Sequence, residues 1–366
     1  MVNYEGLERF LGETTGTFGV LSMQALRTTS RLAKKFPERL KALYSAEHGF
    51  FGTTAAGEKQ CNLWHPYWNK PIFSLYGDHR KPTDEMLDGV DRMVIDLQDI
   101  GVRCYTYLAT IRNMLEACSE RSIPVTVLDR PLPLGGVLDG PMRRPEFSSF
   151  VAPVDVPFCH GMTPGECAMW MRKTEDLALD LNVIRMRDWS HAERRPWPNF
   201  IPPSPAIRSW DSAVMYPLTV FTEAFPAVDC DRQGALAFRI VGAPWMDQRS
   251  LLVDLAPGLA SCGVAVRPFR YVPSGGSYAG MPLDGILFAV ANEEAFYPFT
   301  AGTLVMTAML QRHGDKLLKD ARLDWLDRLS GSTDIRNVFK AGDLSDLFQS
   351  WIDGQDVFLK TRVNLY

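Results

Sequence analysis

Apolar runs of strand length, separated by segments of helix length, constrain this chain more than any other feature. The sharpest run is Met93-Val94-Ile95-Asp96-Leu97, where apolar residues follow one another instead of alternating. A strand of that kind buries both faces, as strands do in parallel sheets covered by helices. Similar runs stand at residues 17–23, 40–45, 72–76 and 124–128. Between the first two, residues 24–36 show helical spacing, with Leu26, Leu32 and Ala33 against Arg31, Lys34 and Lys35. Pro82 to Leu87 has proline and acids where a short helix would start, and 105–120 is an amphipathic helix. The alternation predicts an α/β fold, a Rossmann-like, mostly parallel sheet.

From Pro131 to Pro141 prolines and glycines make a linker-like crossing. We therefore expect a Rossmann-like domain over residues 1–145 and a second, α+β domain over 146–366 packed on the first. The second part carries a helix from about Thr163 to Leu179 and a strand at 182–186. An irregular segment follows from Arg195 to Trp210. Helices are predicted near 246–261, 300–313 and 343–359, and strands near 236–241, 264–271 and 284–290.

Several function classes are excluded. No G-x-G-x-x-G follows the first strand and no phosphate-loop glycine pattern occurs, so no nucleotide cofactor is expected. The formal net charge is −4 without a basic cluster, which argues against nucleic acid. Seven scattered cysteines form no C-x-x-C pair, so no metal site is expected. No apolar run approaches the ~18 residues of a spanning helix. The chain as given has no secretory pattern, so the expected compartment is the cytoplasm, or the periplasm if a leader has been removed. The sequence does not address oligomeric state.

The chemistry-bearing residues gather at predicted strand ends, where open α/β sheets bind ligands. Glu47-His48-Gly49 follows the second strand and makes Glu47 the leading candidate for a catalytic carboxylate. His48 reads equally as a core histidine bonded to backbone. Asp96, Arg103, Tyr105 and Tyr107 follow the fourth strand, and Arg130 ends the fifth. Two arginines at neighbouring strand ends suit a substrate carboxylate, because guanidinium binds carboxylates bidentately. An Asp–Arg ion pair fixing the turn explains the same residues. His160 leads into Thr163-Pro164-Gly165-Glu166, where Glu166 also fits the glutamate of a capping box.

Taken together, these stretches resemble the exo-β-N-acetylmuramidase (NamZ-type) glycosidase family over nearly the whole chain. The matching motifs are Glu47-His48-Gly49-Phe50, Ala56-Gly57-Glu58, Ser74-Leu75-Tyr76-Gly77 and Asp96 to Arg103 running into Tyr105-Thr106-Tyr107. Asp129-Arg130-Pro131, His160 to Glu166 and Gly242-Ala243-Pro244-Trp245 complete the set. The resemblance implies release of N-acetylmuramic acid from the non-reducing end of peptidoglycan fragments, in a cleft between two domains and without a nucleotide cofactor. It implies Glu47 as catalytic glutamate and Glu166 as the second one. Arg103, Tyr105, Tyr107 and His160 match cleft-lining positions. The sequence departs from the family where Phe51 replaces a basic residue. It departs again over 223–234, where Glu223 and Arg232 hold clearly.

On this reading Glu47 is the acid, walled by Phe50 and Phe51, with Glu166 or Asp96 as its partner. Arg103, Arg130 and Arg232 compete for the sugar's carboxylate. A non-catalytic sugar- or muropeptide-binding protein and a glycosidase for another acidic sugar are the alternatives.

Overall fold

The computed structural model describes residues 1–193, 197, 200–341 and 344–362. The chain forms α1 (Tyr4–Glu13), β1 (Phe18–Ser22), α2 (Thr28–Lys35), β2 (Leu40–Ser45), β3 (Leu63–His65), β4 (Lys70–Ser74), β5 (Arg92–Asp96) and α3 (Tyr107–Glu120). It continues with β6 (Val125–Leu128), β7 (Leu138–Met142), β8 (Pro157–His160), α4 (Pro164–Thr174), β9 (Leu181–Ile184) and α5 (Trp210–Thr219). The remainder is β10 (Ile240–Ala243), α6 (Gln248–Ser261), β11 (Val264–Tyr271), β12 (Leu283–Val290), α7 (Pro298–Leu317), α8 (Leu323–Ser330), α9 (Asp334–Ala341) and α10 (Ser345–Arg362).

A seven-stranded sheet has the order β3-β4-β2-β1-β5-β6-β9, and every neighbouring pair is parallel except β3 with β4. Alternate residues of its strands feed two cores, as the two-residue period of a strand requires. Val20, Leu43, Val94 and Leu128 pack with Leu7 and Leu11 of α1 and Leu32 of α2. Leu21, Tyr44, Ile95 and Val127 face the other way and join Ile111 and Leu115 of α3. That second core runs on without a break into Phe288 of β12 and Met306 of α7. The α/β part and the smaller α+β part thus share one apolar interior.

The expected strands at 40–45 and 264–271 have the expected bounds, and the other expected strands lie within a few residues of their predicted positions. Four features differ. Pro82–Leu87 forms turns instead of a helix. Gly89, at φ +67, and the approach of β5 leave too few residues to repay helix nucleation. The glycine- and proline-rich crossing becomes β7, which pairs antiparallel with β8. The strand predicted at 182–186 is β9, and it pairs with β6 at the edge of the first sheet. A boundary at residue 145 therefore leaves one strand of that sheet in the second domain. Finally, α1, β3, α5, α8 and α9 were not expected. Within the irregular segment, residues 195, 196, 198 and 199 lie outside the described set, as does residue 343 at the start of the last expected helix.

The β7–β8 ribbon is tied to α7 by one carboxylate. Asp139 Oδ2 accepts from the backbone N–H groups of Phe299 (2.7 Å) and Thr300 (3.0 Å), and Oδ1 accepts from the Thr300 hydroxyl (2.6 Å). These satisfy donors that the first turn of a helix leaves open. Asp139→Ala removes a cap and a cross-chain tie together, so a loss of about 2 kcal/mol is expected. The urea midpoint measures it, and an unchanged midpoint would contradict this role for Asp139.

Candidate active site

The turn after β2 places the leading acid. His48 (φ +74) and Gly49 (φ +77) are successive left-handed residues. Such a conformation is uncommon for a residue with a side chain and recurs at functional sites. It folds the following loop back, so that Thr54 N–H donates to the His48 carbonyl (3.1 Å) and His48 Nδ1 meets the Thr54 carbonyl (2.9 Å). Burial lowers the His48 pKa, partly opposed by Glu47. The returning loop brings Gly57 N–H to Glu47 Oε1 (2.7 Å), and Thr106 Oγ1 donates to Glu47 Oε2. Tyr76, two residues past β4, is a third neighbour. Burial first, and then the Glu47 carboxylate, push its hydroxyl up to about 12.

These groups line a cavity of about 680 Å³. Glu47, His48, Tyr76, Tyr105 and Thr106 form the wall beside the sheet, and Ser204 to Arg208 form another. Glu223, Asp229, Arg232, Tyr278, Arg322 and Trp325 close it from the C-terminal side. Tyr107 lies behind the wall. Its hydroxyl donates to the Pro203 carbonyl (2.6 Å), and its ring buttresses Tyr105 at 4.8 Å between centroids. Glu223 and Arg232 form an ion pair across 2.6 Å, and Arg232 also lies over the Phe238 ring.

The other candidates are elsewhere. Glu166 Oε2 accepts from Thr163 N–H (2.8 Å) and meets His191 Nε2 (2.9 Å), and Thr163 Oγ1 in turn accepts from Glu166 N–H. This is the capping box of α4, and Glu166 does not line the cavity. Asp96 is fully buried and paired with Arg130, whose Nη2 reaches Asp96 Oδ2 at 3.0 Å, while Thr28 donates to the same carboxylate. Arg103 is also fully buried and donates to the carbonyls of Pro141, Val156 and Ser330. Neither arginine is available to a substrate carboxylate, and neither Asp96 nor Glu166 faces Glu47. His160 is buried, its Nδ1 accepting from Met162 N–H (3.2 Å). The expected aromatic wall is also absent. Phe50 packs in the core of α1 and α2, and Phe51 stacks on His65. Tyr76 and Thr106 take that place. Both stand in motifs that carry the family resemblance, Ser74-Leu75-Tyr76-Gly77 and Tyr105-Thr106-Tyr107, and neither stands among the expected site residues.

Among the described residues no cluster of histidine, cysteine and acidic side chains could hold a metal ion. Among the same residues no helix is long and apolar enough to cross a membrane. A glutamate held by two hydrogen bonds in a wide cavity beside the carboxyl ends of parallel strands stands where open α/β sheets bind ligands.

Residues 15–211 match the family described as "Exo-beta-N-acetylmuramidase NamZ, N-terminal", and residues 214–366 match its C-terminal counterpart. The peptidoglycan β-N-acetylmuramidase NamZ of Bacillus subtilis (strain 168) is 32% identical over 331 residues, 88% of this chain and 78% of that protein. A crystal structure of a DUF1343 family protein from Bacteroides fragilis superposes with a TM-score of 0.89 at 27% identity, covering 100% of this chain and 98% of that one. A second from the same organism gives 0.77 at 22% with the same coverage, a likeness of fold. The chain belongs to the exo-β-N-acetylmuramidase NamZ family.

Two tests follow from the buried groups. Asp96→Ala leaves the Arg130 charge buried without its carboxylate, and a loss of about 3–5 kcal/mol is expected. Asp96→Ala combined with Arg130→Met should recover much of it in urea unfolding; no recovery would mean that the pair is not the cause. Burial, followed by Arg362 and Arg103, drives the His160 pKa down to about 3. The unfolded chain therefore binds this proton near pH 6.5 and the folded chain does not. The stabilisation is complete above pH 6.5 and is lost as pH falls toward 3. Relative to wild type, His160→Asn should show a shallower fall of unfolding midpoint through that window.

Proposed function

We propose that this chain is an exo-acting glycosidase releasing terminal N-acetylmuramic acid, or a related acidic amino sugar, from the non-reducing end of peptidoglycan fragments. Glu47, its side chain held in the cavity by Gly57 and Thr106, carries this reading. Family membership and the name of the Bacillus relative support it. We also read the first region as Rossmann-like. Leaving β3 aside, its parallel strands run in the order 3-2-1-4-5-6, and a division after Ile184 keeps the sheet whole.

Cleavage of a glycosidic bond needs a proton on the leaving oxygen and stabilisation of an oxocarbenium-like centre. On this reading Glu47 supplies the proton. Gly57 N–H can only donate, so Oε1 remains an acceptor. Thr106 Oγ1 can either donate or accept, so Oε2 can carry the proton and hand it on. Tyr76 closes the carboxyl from the side. The partner role passes from Glu166 and Asp96 to the carboxylates that line the cavity, Glu223 and Asp229.

Glu47→Gln keeps the shape and the Gly57 bond but cannot protonate the leaving group. Turnover of a chromogenic N-acetylmuraminide should fall by roughly 10²-fold or more. Undiminished turnover would remove Glu47 from the acid role.

A further inference from the structure

Once Arg103 and Arg130 are buried on other partners, the cavity keeps three arginines: Arg208, Arg232 and Arg322. Arg232 is committed to Glu223. The other two are anchored by backbone contacts. Arg208 Nε donates to the Pro205 carbonyl (2.6 Å), within a loop fixed by Tyr107 on Pro203 and by Ile207 N–H on Ser204 Oγ (3.1 Å). Arg322 donates from Nη2 to the Glu223 carbonyl and from its backbone N–H to the Ala224 carbonyl (2.8 Å). Among the described residues neither guanidinium has a carboxylate within the 4.0 Å of an ion pair; Arg208 has only the longer-range field of Asp231. Both residues are exposed and line the cavity, and one guanidinium nitrogen of each is already held by a backbone carbonyl, which reduces the entropy cost of binding an anion. Trp325, three residues after Arg322, adds a flat face to the same wall.

We propose that Arg208 and Arg322 form the anion subsite of this cavity and select a substrate carboxylate. The assignment rests on the glycosidase reading only for the identity of the sugar. The carboxylate comes either from the lactyl ether of the sugar or from an attached peptide, and both present the same planar anion to a guanidinium.

Calorimetric binding to the intact Glu47→Gln protein separates these cases from the catalytic reading. The ligands are N-acetylmuramic acid, N-acetylglucosamine, and a muramyl dipeptide whose lactyl carboxyl is amidated but whose peptide carboxyl is free. With both arginines in place, the Glu47→Gln protein should bind one or both of the two acids at least tenfold more tightly than N-acetylglucosamine. Arg208→Gln and Arg322→Gln should erase most of that preference. Tighter binding of N-acetylmuramic acid than of the dipeptide places the lactyl carboxylate in the subsite, and the reverse order places the peptide carboxylate there. N-acetylglucosamine binding as tightly as both acids, or a preference untouched by either substitution in a protein with an unchanged unfolding midpoint, overturns the subsite. An arginine-dependent preference, together with a wild-type protein that hydrolyses no muraminide, upholds the subsite and removes the glycosidase reading instead.

Discussion

The placement of the site depends on a buried arginine that touches no ligand. Arg103 has no exposed surface and lies in the interior without a carboxylate bound to it. Burial brings its pKa down toward about 10, which still leaves it charged near neutral pH. An isolated buried charge is costly unless hydrogen bonds offset it. Three carbonyls from distant parts of the chain accept from its Nη1 and Nη2: Pro141 in β7, Val156 before β8 and Ser330 at the end of α8, while Nε has no partner among the described residues. Its backbone N–H also donates to the Phe158 carbonyl (2.8 Å). The chain makes room for it at Gly331, where a Cβ would meet Arg103 Nη2 at 2.6 Å and φ is +69.

That anchor lies two residues before Tyr105 and three before Thr106. Fixing Arg103 fixes the loop that delivers the Tyr105 wall and the hydroxyl on Glu47. The other half of the Glu47 setting is local, in the left-handed turn at His48 and Gly49 and the return of the chain to Gly57. A long-range constraint and a short-range one therefore meet at one carboxylate. The Asp139 tie and the continuous core bind the C-terminal wall to the same frame.

This division explains what could be read from the sequence. The parallel strands are legible because buried apolar runs have no other use at that length. The capping box of α4 is legible because its residues lie within four positions of each other. Glu47 is legible because strand ends are where an open sheet binds. Pairings over long distances are not. Nothing in Asp96-to-Arg103 spacing says that Asp96 will turn to Arg130, or that Arg103 will find carbonyls as far away as Ser330. The β7–β8 ribbon was hidden by Gly140 and Pro141, residues that usually mark a crossing. Gly140 is needed because a Cβ there would meet Phe158 and Phe299 at 2.7 Å. Arg208 and Arg322 stand in segments with no motif, and only the folded chain brings them to Glu47's cavity.

The altered segment at 223–234 follows the same logic. Glu223 and Arg232, the two positions there that match the family clearly, are each other's ion-pair partners. The pair neutralises itself at the cavity wall, and the Glu223 backbone carbonyl also holds Arg322. The segment also carries structure of its own: Phe225 is buried in the core, Asp229 Oδ1 accepts from the Tyr271 hydroxyl (2.8 Å) and Asp231 Oδ2 accepts from Leu236 N–H (2.9 Å). With Arg232 matched to Glu223, the other arginines lining the cavity that holds Glu47 are Arg208 and Arg322. A ligand bearing one anionic group and one bond to be protonated is the kind of molecule such a charge arrangement can orient in a single direction.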